Sequence, residues 1–112
     1  MKVTKFIHSC LLIEEDGKSL LIDPGNYTNE SKVLNVFDLK SLDYLLITHE
    51  HADHMDISLI KEVIEKFPQV KIVSNNSVVK LLAKESVNVS TQPDQMIKIE
   101  EVNYQTRFVH SN

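Results

Sequence analysis

The chain has 112 residues, 42% hydrophobic and 25% charged, which is the composition and size of one globular domain able to build a core without disulfides or structural metal. Sixteen acidic against twelve basic residues give a net charge of -4 without a Lys/Arg run, which disfavours nucleic acid or an anionic membrane as a bulk electrostatic partner. The single Cys10 cannot close an intramolecular disulfide, the opening MKVTKFIHSCLLIEED breaks its apolar run at His8 and Ser9, and the apolar stretches fall far short of the ~20 residues that span a bilayer. A reducing, cytoplasmic setting is the expectation.

VTKFI, SCLLIEE, KSLLIDPG and YLLIT read as strands. Continuous rather than alternating apolarity in three of these runs predicts burial on both faces, as in a sheet that helices cover. Asp16-Gly17 marks a hairpin, and Pro24-Gly25 ends the strand before it. Residues 26–41 are polar and without clear periodicity, and are expected to form a surface loop with about one helical turn. From Asp56, a predicted N-cap, Ile57, Ile60, Ile64 and Phe67 follow at helical steps until Pro68. KIVSN then predicts a short buried strand. Asn76 or Ser77 is expected to cap a second helix carrying Val78, Val79, Leu81 and Leu82, and VNVS and MIKIEEVNYQTRFVH read as further strands around a Pro93-Asp94 turn. The order argues an α/β fold: a sheet with helices on one face.

Three of the five histidines, with two acids, fall in six consecutive residues, His49-Glu50-His51-Ala52-Asp53-His54. The run follows the buried strand YLLIT and precedes the Asp56 helix, so it occupies a loop at the C-terminal end of a strand, the edge where open sheets place ligands. In extended chain His49 and His51 point to the same side and can reach one ion. Once the chain turns toward the helix, Asp53 and His54 can serve a second, and two ions bridged by water form a hydrolytic arrangement. Mixed nitrogen and oxygen ligands without thiolate suit Zn, Mn or Fe. Cys10, within an apolar strand, reads as a small buried hydrophobe. His8 is expected to pack near the site or cap a turn rather than bind metal, and Glu50 to point away from its neighbours.

ITHEHADH at 47–54 resembles the H-x-H-x-D-H signature of the metallo-β-lactamase fold superfamily of metallohydrolases. KFIHSCLLIE, LLIDPG at 20–25, and Asp56 two residues after His54 are similar to the branch containing L-ascorbate-6-phosphate lactonase, in order along essentially the whole chain. The resemblance implies the N-terminal half of an αββα sandwich, with a mixed sheet and helices on one face. It implies His49, His51 and His110 as ligands of a first metal and Asp53 and His54 as ligands of a second. Asp53 would also orient the attacking water, making it the expected catalytic residue. Asp23 would buttress the metal loop, although the residues alone allow a turn-forming Asp before Pro24-Gly25 equally well.

The expected function is therefore a metal-dependent hydrolase using metal-activated water on an ester, lactone or phosphoester, with zinc as the first choice of divalent metal and manganese or iron as alternatives. The family fold continues further, adding a bridging Asp and a final His. Residues 1–112 are thus expected to form one incomplete domain that binds one ion more readily than two and turns over weakly. An exposed sheet face or edge would invite self-association. The competing readings are a metal-binding fragment without turnover, and a nucleic-acid phosphodiesterase similar to the tRNA 3′-end-processing endonucleases, which the charge disfavours. The expected substrate is a small molecule.

Overall fold

The computed structural model describes residues 1–87, together with the backbone of residues 97–99 and 104–106. Strands β1 (Lys2–Lys5), β2 (Leu11–Glu15) and β3 (Lys18–Ile22) form an antiparallel meander. The β2–β3 turn is Asp16-Gly17 with φ of 50° and 78°; the primed hairpin turn needs positive φ at both positions, and that is what Asp-Gly supplies. Strands β4 (Tyr44–Ile47) and β5 (Lys71–Ser74) add in parallel, so the sheet is mixed, in the order β1-β2-β3-β4-β5. Strands β6 (Ile97–Ile99) and β7 (Tyr104–Thr106) pair separately and antiparallel. The remaining elements are helices α1 (Asn26–Ser31), α2 (Ile57–Lys66) and α3 (Asn76–Lys84) and one 3-10 turn at Val36–Asp38. Among the described residues, no helix is long and apolar enough to cross a membrane.

Alternation along the strands divides the core. Leu12, Leu21, Leu45, Ile47 and Ile72 share one cluster with Leu59, Ile60 and Val63 of α2 and Val78 and Leu82 of α3. Burying each such side chain contributes roughly 1.5–3 kcal/mol, enough for this face to fix both helices. The buried stripe of α2 centres on Ile60 and Val63, while Ile57, Ile64 and Phe67 pack at its margin. On the other face Leu20, Leu46 and Val73 form a small buried cluster beside Ile13, Ile22 and Tyr44.

Three local expectations change. Residues 26–41 hold a six-residue helix and a 3-10 turn rather than a loop with one turn. Thr28 of α1 is buried, and the Asn26 amide donates to Ala52 O at 2.8 Å, so tertiary contacts fold a segment that lacks apolar periodicity. Asn75, not Asn76 or Ser77, caps α3, its Oδ1 accepting from the Val78 amide at 3.0 Å. Asp56 stands at the N-cap of α2 without a capping side-chain bond.

Lys66, in the last turn of α2, donates to the carbonyl oxygens of Val36 (3.0 Å), Phe37 (2.5 Å) and Leu39 (2.6 Å), so one ammonium gathers the 3-10 turn onto the helix. Lys66→Met is expected to cost about 1–3 kcal/mol in urea denaturation, since three carbonyls lose a charged donor. A loss below about 0.5 kcal/mol, ordinary for a surface change, would contradict this account of the turn.

Candidate metal centre

The parallel strands end together. Asp23 follows β3, Thr48 and His49 follow β4, and Asn75 follows β5, which brings four polar residues to the C-terminal edge of the sheet. Hydrogen bonds join these ends: the Asp23 amide donates to Leu46 O at 2.9 Å, and the Asn75 side chain donates from Nδ2 to Thr48 O at 2.9 Å. The loop that follows His49 is stitched to the 24–26 segment, because the Asp56 amide donates to Pro24 O and the Asn26 amide to Ala52 O. Gly25 makes that approach feasible. A Cβ there would stand 2.0 Å from Asp53 O and 2.9 Å from His54 N, which no side chain allows.

Asp23 is buried, at 3% exposure, with φ of 47°. Its Oδ1 accepts from the Thr48 amide at 2.7 Å, and its Oδ2 from Thr48 Oγ1 at 2.5 Å and His54 Nδ1 at 2.9 Å. These bonds assign the ring protons by elimination. Thr48 gives its single hydroxyl hydrogen to Asp23, so the 2.8 Å contact with His49 Nδ1 is one in which His49 donates. His54 likewise donates from Nδ1 to Asp23. With Nδ1 as the donor, the neutral form of each ring carries its lone pair on Nε2, the form in which imidazole binds metal.

The rings of His49 and His54 lie 4.4 Å apart between centroids. Asp23, His49 and His54 each offer a ligand atom within 4.8 Å of the others, and so do His8, Asp53 and His54. With its oxygens committed to Thr48 and His54, Asp23 is suited to orient ligands rather than to bind. Asp53 Oδ2 lies 3.6 Å from His54 Nε2 and accepts from His8 Nε2 at 2.9 Å. Desolvation would raise the Asp53 carboxyl, but the His8 hydrogen bond, the His54 charge, its own backbone amide and the His8 charge together hold it below the ordinary carboxylate range. The donor types fit a divalent metal: the imidazoles of His49 and His54 and the carboxylate of Asp53, with the buried Asp23 carboxylate behind His54.

His51 is exposed and stands outside both clusters of described residues, though with His49 it borders a small open cleft of about 290 Å³ that Asn75, Asn76 and Ser77 complete. Glu50 is exposed on the same cleft. His110 lies outside the described residues. Cys10 is fully buried; burial, opposed by a hydrogen bond with Thr28 and assisted by the Asp23 charge, pushes its thiol up to about 11, which suits the small-hydrophobe reading. His8 packs beside the site as expected and reaches Asp53, while Ser9, to which the sequence assigned no role, places its Oγ 3.1 Å from His54 Nδ1. The available signal was a polar pair interrupting an apolar run at a strand turn.

A mixed sheet with helices packed on one face, carrying His-x-His-x-Asp-His at the C-terminal edge of its parallel strands, defines a class. The chain belongs to the metallo-beta-lactamase superfamily, whose family model matches residues 3–101. It is 37% identical over 89 residues to a UPF0173 metal-dependent hydrolase of Flavobacterium johnsoniae, covering 79% of this chain and 38% of that protein. Igni18, a novel metallo hydrolase from the hyperthermophilic archaeon Ignicoccus hospitalis, superposes with a TM-score of 0.63 at 28% identity, covering 89% of this chain and 43% of that one. A metallo-beta-lactamase from Pontibacter korlensis shares the fold, with a TM-score of 0.50, 22% identity, and coverage of 88% of this chain and 55% of that one. The chain spans about two fifths of the length of the two metal-dependent relatives.

Proposed function

We propose that the chain carries the metal-ligand half of a hydrolase of the lactonase-like branch, acting with metal-activated water on a small ester, lactone or phosphoester. The observation that supports it best is the pair of relays from buried Asp23, one directly to His54 Nδ1 and one through Thr48 to His49 Nδ1, on two rings whose centroids lie 4.4 Å apart. His49, Asp53 and His54 would hold a divalent ion, with His51 and His110 as further ligands from the sequence motif; zinc suits these donors, and manganese or iron are the alternatives. Such an ion, when bound, supplies Lewis acidity and lowers the pKa of water toward about 7. The protein's own part is orientation. Asp23 fixes the two rings, and the Asp53 carboxylate, ionised near neutral pH, accepts and directs a proton of the attacking water.

The test supplies zinc or manganese and follows a lactone, a carboxyl ester and a phosphodiester. Hydrolysis of at least one, however slow, is expected to require the ion and to fall by roughly 100-fold or more in Asp53→Asn, the range of a lost proton-directing group. Metal bound without metal-dependent turnover of any probe would leave a metal-binding fragment instead.

A further inference from the structure

The turn between β1 and β2 does more than reverse the chain. It is closed by Phe6 N–H to Cys10 O at 3.0 Å and Cys10 N–H to Ile7 O at 3.1 Å, and it holds His8 at φ 58°, a left-handed conformation that a non-glycine residue adopts only at a cost. Two consecutive residues of this turn meet two consecutive residues of the metal loop, 45 positions away: His8 Nε2 to Asp53 Oδ2 at 2.9 Å, and Ser9 Oγ to His54 Nδ1 at 3.1 Å. The His8 ring is further bounded by Tyr27 at 5.3 Å and His54 at 5.5 Å between centroids.

We propose that the β1–β2 turn is a positioning device, in which His8 donates from Nε2 to Asp53 Oδ2 and, with Ser9, sets the Asp53–His54 pair for a divalent ion. The left-handed residue is what aims the imidazole back over the loop. An Asp53 carboxylate held through Oδ2 keeps one orientation and leaves Oδ1 for other partners, whereas a free, partly exposed Asp53 would rotate among several. Ligand-orienting hydrogen bonds of this kind are worth roughly 10- to 100-fold in metal affinity. The inference rests on Asp53 and His54 being ligands.

Two substitutions separate the roles of His8. Asn tolerates the left-handed conformation, so His8→Asn keeps the turn while its shorter side chain cannot span to Asp53. Gln carries an amide nitrogen near the place of imidazole Nε2, so His8→Gln restores the donor but is a poor metal ligand. Zinc affinity of the full chain, measured by competition with a chromophoric chelator, is expected to fall roughly 10- to 100-fold in His8→Asn and to recover most of the loss in His8→Gln, with unchanged far-UV circular dichroism. Equal weakening in both variants would make His8 a ligand and overturn the proposal, and so would an unchanged affinity in His8→Asn. A second readout needs no metal: long-range ¹H–¹⁵N spectra of the metal-free protein are expected to show His8 protonated at Nε2, with that signal shifting in Asp53→Asn. A His8 protonated at Nδ1 would refute the bond itself. Failure of the wild-type chain to take up zinc, with the His8–Asp53 bond intact in those spectra, would instead overturn the metal-centre reading beneath it.

Discussion

Asp23→Asn is expected to weaken zinc binding by roughly 10- to 100-fold and to destabilise the fold by about 1–3 kcal/mol. The reason is the concentration of roles on one carboxylate. Asp23 accepts from the Thr48 amide, the Thr48 hydroxyl and His54 Nδ1 while buried at 3% exposure. Asn fits the same space and tolerates the φ of 47°, so the backbone conformation is kept. Its amide has one acceptor where the carboxylate has two. The NH2 group must then face either the Thr48 amide or the Thr48 hydroxyl and His54, setting donor against donor. The Nδ1 donation that leaves the neutral rings of His49 and His54 with their lone pairs on Nε2 is lost with it. Chelator competition and urea denaturation measure the two effects, and wild-type values in both would reduce Asp23 to the turn-forming residue that the sequence equally allows.

Gly25→Ala is expected to be the most damaging single methyl in the chain, costing at least about 3 kcal/mol, at the upper end of overpacking substitutions. The added Cβ would lie 2.0 Å from Asp53 O and 2.3 Å from Asp53 C, atoms of the backbone that no rotamer change can move. Relief requires the metal loop to withdraw from the 24–26 segment, breaking the bonds from Asp56 N–H to Pro24 O and Asn26 N–H to Ala52 O. Gly17→Ala is the control. Gly17 has φ 78° with open space around its Cβ direction, so only the conformational cost of about 1–2 kcal/mol applies there. Equal losses for the two variants in urea denaturation would contradict the close approach of the two loops.

Strands β1–β5 and the placement of the histidine loop after β4 were legible because local signals and tertiary outcome agree, whereas residues 88–90 of the expected VNVS strand and the Pro93-Asp94 turn lie outside the described residues. Apolar runs long enough for a buried strand, an Asp-Gly turn with both residues at positive φ, and a dense histidine run directly after YLLIT all point one way. What escaped was decided at long range. Three polar residues in a row, Asn75-Asn76-Ser77, each suit an N-cap, and Asn75 is selected because β5 ends just before it and its Nδ2 reaches Thr48 O across the sheet edge. Helix α1 has no apolar stripe to announce it, since its anchors are a buried Thr28 and a backbone bond to Ala52. His8 lies in KFIHSCLLIE, but nothing in that run names Asp53 as its partner. Its relation to Asp53 exists only because the β1–β2 turn folds over a loop 45 residues later.

Whether the sheet edge is a metal centre is tested most directly by equilibrium dialysis against zinc followed by metal analysis, on the wild-type chain beside His49→Ala and His54→Ala. The wild-type chain is expected to retain zinc and each variant to lose most of it, with circular dichroism unchanged. A wild-type chain that retains no zinc, or variants that retain as much as wild type, would contradict the assignment of His49 and His54.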